Sequence, residues 1–298
     1  MNHLIVGPDG HGVTEYALGL ARATGAANVI REETFGSAPL PEGPIHVTFT
    51  DHLFGDTAET LLARLGDRPF SVSLHDIPQP EEGEGRYARR AEIYRTLASA
   101  ADVAVVNSEH EARFFPAGAS APAVIRLPIP VIHSPFAPED GTVGVLGFLY
   151  PGKGHEDLIA ALPEATLRFL GAVSAGHEEW ADRLVASARN VELTGWLADD
   201  ELAREIGRIA VPVCPHRHFS ASGSLMTWLG AGRKVLVTDS DYAREIDAWL
   251  PGRVTLVEEG GWRDAVEKHV PEQLAPPRYG WAEVADLWEE AWHSAGLK

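Results

Sequence analysis

The chain has 298 residues, 45% of them hydrophobic and 23% charged, with a formal net charge of −18 and a single cysteine, Cys214. That charge repels nucleic-acid backbones and anionic lipid, so no nucleic acid is expected as a partner, and the lone cysteine excludes both an internal disulfide and a cysteine metal cluster. No apolar run reaches the length of a membrane span, and the opening MNHLIVGPDG lacks the basic-then-apolar layout of a secretory leader, so no transmembrane segment and a cytoplasmic location are expected.

Residues 3–6 predict a short strand, followed by the loop Gly7-Pro8-Asp9-Gly10-His11-Gly12 and a helix ending at Gly25. Val13, Tyr16, Ala17, Leu20 and Ala21 recur on that helix at the spacing of one buried face. The glycines miss the G-x-G-x-x-G spacing of a dinucleotide fold, which disfavours a nicotinamide cofactor. Gly10 and Gly12 instead let backbone N–H groups approach a ligand closely. Strands follow at 45–50 and 70–74, separated by a helix near 57–65, and the second ends in His75-Asp76-Ile77-Pro78. Polar residues just past the carboxyl end of a buried parallel strand are where open α/β sheets hold ligands, with a capping or core histidine as the alternative for His75. A helix over 86–100 carries Arg86, Arg89 and Arg90, read as a solvated face. A strand over 102–106, a short helix from Ser108 and a strand over 124–127 complete the first half.

The proline-rich run LPIPVIHSPFAPEDG, 127–141, is the best linker. It divides the chain into residues 1–136, 137–278 and a terminal segment, 279–298. The second half opens with VGVLGFLYPGKGHEDLIAAL: a buried strand over 143–146, a turn at Gly147, Pro151 and Gly152, then Lys153, Gly154 and a helix from His155. A helix amino end carries unpaired N–H groups and partial positive charge, so a lysine at this junction makes a phosphate site; an ordinary turn with a solvated lysine is the alternative. The spelling comes within one residue of a P-loop, but Gly154 stands where that motif needs the magnesium-binding Ser or Thr. Further strands are predicted at 167–170, 191–193, 211–214, 235–238 and 254–257, with helices between them. After Cys214, Ser222-Gly223-Ser224 opens a helix whose amides and hydroxyls suit an anion. His216, Arg217 and His218 offer it positive charge or form a surface loop, and no carboxylate or cysteine lies at ligand spacing to make the His-x-His pair a metal site. Such alternation of strands and helices predicts an α/β protein of two Rossmann-like halves.

In family order, PDGHGV, LHD, VVNSEHEARFF, GFLYPGKGHEDLIAAL, VELTGWLADDELAREI, GSLMTWLGAGRKVLVTD and YGWAEVADLWEEAW resemble the landmarks of the large retaining glycosyltransferase family that includes sucrose synthases and bacterial phosphatidylinositol mannosyltransferases. The resemblance implies a GT-B fold, with two Rossmann-like domains facing across a cleft and a last helix crossing back to the first. The first domain would take the acceptor and the second the donor. It implies transfer of a hexose, with retention, from a UDP- or GDP-linked sugar to a small-molecule, glycan or lipid-linked acceptor, with no cofactor and no metal.

Lys153 would hold the donor phosphates with Gly152, Gly154, Ser222, Gly223, Ser224 and Arg217, and His75 would bond the sugar. Gly195 and Trp196 would lie by the base, and Gly10, His11, Gly12 and Asp76 would face the acceptor. Two departures stand out. Phe148 or a neighbour occupies the place of the family's arginine, and its two donor-helix glutamates fall on Phe219 and Thr227. They leave room for a GT-B-shaped binding or partner protein, and less so for a sugar-nucleotide epimerase or a P-loop-like NTPase.

Overall fold

A computed structural model describes residues 1–55, 57–116, 121–218 and 220–298. The chain divides into two units, Met1–Pro128 with Tyr279–Lys298, and Ile129–Arg278. In the first unit the elements run β1 (Asn2–Val6), α1 (Gly12–Ala23), β2 (Asn28–Glu32), β3 (Ile45–Phe49), α2 (Glu59–Leu65), β4 (Phe70–Leu74), α3 (Glu84–Ala100), β5 (Val103–Val106), α4 (Glu109–Ala112) and β6 (Ala123–Val124). The second unit runs β7 (Glu139–Leu146), α5 (His155–Ala161), β8 (Thr166–Leu170), α6 (Glu178–Ala186), β9 (Val191–Leu193), α7 (Asp199–Arg208), β10 (Ile209–Cys214), α8 (Gly223–Gly230), β11 (Val235–Thr238), α9 (Asp241–Trp249), β12 (Val254–Val257) and α10 (Trp262–Lys268). The last helix, α11 (Trp281–Ser294), belongs to the first unit.

Each unit is built on a six-stranded parallel sheet, in the orders β2-β1-β3-β4-β5-β6 and β12-β11-β10-β7-β8-β9. Strands β1, β3 and β4 are buried at every position, as strands covered on both faces must be. The first sheet reverses direction between β1 and β3: the chain steps outward to β2, then returns past β1. The second reverses between β7 and β10. Loops leaving neighbouring strands at such a reversal diverge to opposite sides and open a crevice at the carboxyl ends, which is where a ligand fits in sheets of this kind.

Three features differ from the sequence reading. Strand β2, NVIRE, was not anticipated; it lies at the sheet edge with no fully buried position, so its pattern is too polar to read as a strand. Strand β6 is only Ala123–Val124. The proline-rich run is no free linker, because 129–137 packs on the second unit. Ile132 N–H donates to Gly230 O at 3.1 Å, Ala137 N–H to Gly207 O at 3.0 Å, and Ser134 Oγ to Ala203 O at 2.8 Å. A Cβ at Gly207 or Gly230 would lie 1.8 or 1.7 Å from the carbonyl oxygens of Pro135 or Pro130, so both glycines are needed for this approach.

Helix α11 docks on α1 through Trp288 and Trp292, both fully buried. Their indole N–H groups donate to Tyr16 Oη (3.2 Å) and Ser71 Oγ (2.8 Å). The rings of His3 and His46 stand edge-on to Trp292. Gly19 opens the path, since a Cβ there would fall 2.2 Å from the Trp281 ring. Among the described residues no helix is long and apolar enough to cross a membrane.

Candidate functional site

At the reversal of the second sheet, the loop after β7 is made by glycines at positive φ: Gly147 (99°), Gly152 (92°) and Gly154 (83°). Gly154 caps α5, and a Cβ on it would lie 1.8 Å from Pro215 O, so the amino end of α5 is pressed against the carboxyl end of β10. Arg217 N–H donates to Gly152 O at 3.2 Å and ties the same two loops together.

Lys153 turns inward. It is only 5% exposed, and its ammonium donates to the carbonyls of Leu146 and Phe148 at 2.9 Å each. Burial lowers its pKa to about 8, opposed weakly by neighbouring Cys214. Burial pushes the Cys214 thiol up to about 12, so what adjoins the ammonium is neutral sulfur rather than a counter-ion. A Cβ on Gly147 would lie 2.8 Å from Lys153 Nζ and 3.8 Å from Ser224 Cβ. The glycine loop, the ammonium and the start of α8 therefore meet at one point.

At that start, Ser222 Oγ accepts from Leu225 N–H at 3.2 Å and bonds Ser224 Oγ at 3.0 Å, while Ser222 N–H donates to Tyr242 Oη at 3.0 Å. Gly223 and Ser224 supply first-turn amides, which an α-helix leaves without intrahelical acceptors. A Cβ on Gly223 meets nothing within 4 Å, so the approach is open.

The other residues expected here are placed differently. The Arg217 guanidinium is held in a two-bond ion pair by Asp157 of α5, at an exposed position. Thr227 Oγ1 donates back to Gly223 O at 2.9 Å, and Phe219 lies outside the described residues. Gly195 has φ 71°, and Trp196 beyond it is 66% exposed, its ring 6.2 Å from that of Phe148.

At the reversal of the first sheet lie the loops after β1 and β3, with the end of β4 beside them. Gly10 needs its freedom (φ 76°), whereas at Gly12 no protein atom stands within 4 Å of an added Cβ. The His75 ring, expected to reach a sugar, is occupied inside the fold. It is 7% exposed, its Nε2 bonds Ser73 Oγ at 2.9 Å, and Asn107 Nδ2 donates to its Nδ1 at 3.4 Å. Tyr16 packs edge-on at 4.6 Å, and burial holds the His75 pKa at about 3, which keeps the ring neutral. Next to it, Asp76 adopts φ 54°, the only positive value at a non-glycine among the described residues. Such strain persists only where the surroundings impose it.

Arg90 imposes it. It donates to Asp76 O (2.8 Å) and Oδ2 (2.9 Å), to both oxygens of Asp51 (2.7 and 3.0 Å) and to Glu82 (2.6 Å). Burial works against the Asp51 carboxylate, but its bonds to Arg90 outweigh that and lower its pKa. Arg86 and Arg89 are exposed as expected, but Arg90 is not, and the signal was there. Position 90 shares the helical stripe of Ile93, Tyr94 and Leu97, all buried.

No family model matches the sequence, and no curated protein does. Solved structures do match. HepE of Anabaena, determined in complex with UDP and glucose, superposes with a TM-score of 0.75 at 16% identity, covering 99% of this chain and 100% of that one. Sucrose-phosphate synthase from Thermosynechococcus elongatus gives 0.65 at 13% identity over 99% and 96%. AviGT4, a glycosyltransferase involved in avilamycin A biosynthesis, gives 0.61 at 15% over 99% and 97%. The chain has the GT-B fold. Within this GT-B chain, the second unit carries a cation with no counter-ion among the described residues, set beside open helix amides. That combination suits a phosphate or diphosphate. The first unit carries carboxylates and imidazoles, whose chemistry suits hydroxyls or cations.

Proposed function

We propose that the chain transfers a hexose from a nucleotide diphosphate sugar to an acceptor, with retention at the anomeric carbon. The observation that carries this reading is the meeting of Gly147, Lys153 and the amino end of α8 at the reversal of the second sheet. As the bond from sugar to diphosphate breaks, negative charge gathers on the leaving oxygens, and fixed donors aimed there lower the barrier. Lys153, the amides of Gly223 and Ser224 and the Ser224 hydroxyl are such donors. Lys153 would exchange a loop carbonyl for a phosphate oxygen, with Gly152 and Gly154 shaping the loop that presents it.

Trp196 and Phe148, beside Gly195, offer a flat face for the base. HepE has been solved with UDP-glucose, so UDP-glucose is the first donor to try and GDP-mannose the second. The acceptor is assigned to Gly10, His11, Gly12 and Asp76 in the first unit. His75 acts there by position, its carbonyl held by Tyr94 Oη at 2.7 Å and its backbone leading into the strained Asp76. Arg217 joins only after leaving Asp157.

Calorimetry with the two donors tests the reading. Lys153→Ala should weaken binding by roughly 10- to 100-fold, the worth of one charge-assisted bond. Because burial sets the Lys153 pKa at about 8, its proton is lost above that value, and donor affinity should fall as pH rises through 8. Unchanged affinity in Lys153→Ala takes the lysine out of the site. A second reading, donor binding without turnover, draws on the closed Thr227 hydroxyl and the paired Arg217. Saturable binding with no product from any acceptor, and no hydrolysis of the donor, would favour it.

A further inference from the structure

The loops at the carboxyl ends of β1, β3 and β4 bring together a cluster that the donor site does not use. His11 Nε2 and His52 Nε2 stand 3.3 Å apart, although the residues are 41 positions apart in sequence. Zinc binds imidazole nitrogen at about 2.0–2.1 Å, and tetrahedral geometry then sets two ligand nitrogens about 3.3 Å from one another. The two imidazoles therefore already have the separation of a ligand pair.

His52 is also oriented as a ligand. Its Nδ1 bonds Thr50 Oγ1 at 3.2 Å, the kind of second contact that fixes the ring of a metal-binding imidazole. Ligand atoms of Asp51, His52 and Asp76 lie within 4.8 Å of one another. Of the two carboxylates, Asp51 is clamped through both oxygens by Arg90, whereas the Asp76 side chain is 44% exposed and shares one oxygen with it. Arg90 faces three carboxylates, Asp51, Asp76 and Glu82, and Arg86 reaches Glu82. Backbone strain fixes Asp76 here, at φ 54°.

We propose that His11 and His52, with the Asp76 carboxylate turned in from its place beside His52, form a binding site for a divalent transition-metal cation, with Zn2+ the best match and solvent completing the shell. Two imidazoles and a carboxylate also suit Ni2+ or Cu2+, whereas Mg2+ and Ca2+ prefer all-oxygen shells. His11 and Asp76 are shared with the acceptor side of the transfer reading, but the cation is titrated without a sugar nucleotide, so the two readings fail separately.

The experiment titrates Zn2+ into tag-free protein by calorimetry and repeats the titration with Co2+, whose visible absorption reports coordination geometry. One saturable equivalent is expected, with tetrahedral-type Co2+ bands. His52→Ala and His11→Ala should each weaken it at least about 10-fold, the scale on which lost ligation is felt. His52 is exposed, so its variant should keep the wild-type fold, which circular dichroism checks. A variant carrying both His216→Ala and His218→Ala should bind as the parent does. Absence of saturable binding, undiminished affinity with both His11 and His52 replaced by alanine, or loss of binding in the His216/His218 variant would each overturn the proposal.

Discussion

Gly154→Ala should destabilise the second unit by about 3 kcal/mol or more and abolish donor binding, while Gly152→Ala should cost only about 1–2 kcal/mol. Both glycines hold positive φ, 83° and 92°, so alanine pays the left-handed penalty at either position. The difference lies in what the new methyl meets. At Gly152 it meets nothing within 4 Å, but at Gly154 it falls 1.8 Å from Pro215 O, a backbone atom that no rotamer change can move aside. Relief requires α5 to back away from β10, which pulls Lys153 out of register with Ser224 and the start of α8. Urea midpoints of the two variants, measured beside their UDP-glucose affinities, read both effects. Equal costs at 152 and 154 would mean that the close approach is not a constraint.

Acid should unfold this protein well before its carboxylates are protonated. His3, His75 and His155 are buried with pKa values lowered to about 3 by desolvation, and buried His46 is lowered well below its ordinary value by the same cause. In the unfolded chain each has a pKa near 6.5. Below about 6.5 the unfolded state binds protons that the folded state refuses, so stability is full above that value and declines as pH falls towards about 3. Each such group contributes up to about 1.4 kcal/mol per pH unit across that window. His216 is lowered to about 3 in the same way, so of these five rings three lie in the first unit and two in the second, and both units should be acid-sensitive.

Urea midpoints at pH 7, 6 and 5 should fall progressively, and a flat profile would show these rings to be protonated in the native state. His155→Phe isolates one contribution. The His155 ring packs against Phe169 and Trp180, and neither of its nitrogens has a partner among the described residues. Phenylalanine should therefore be tolerated and should shrink the pH 7-to-5 loss in the second unit.

The GT-B fold was legible in the sequence because its signals are local. Buried strands such as FSVSL, glycine turns and helical stripes each lie within a dozen residues, and their order carried the resemblance. The loop from Gly147 to Gly154 was legible for the same reason. What the sequence hid depends on pairing across the sheet. His11 and His52 meet because β1 and β3 are neighbours, in the register His3 with His46, and no spacing along the chain announces that. Arg217 looked like a ready phosphate ligand, but Asp157, 60 positions away, already holds it. The His75 ring looked like a ligand group because it ends a strand; its partners Ser73 and Asn107 turn it into a core residue. Strand β2 was hidden for the opposite reason, since an edge position demands little burial.

In a crystal grown with UDP, the diphosphate should lie at the carboxyl ends of β7 and β10, within hydrogen-bond reach of Lys153 Nζ and of the amides of Gly223 and Ser224. Lys153 would then have released at least one of the carbonyls of Leu146 and Phe148. Density for UDP anywhere else, with Lys153 still turned onto both carbonyls, would contradict this placement.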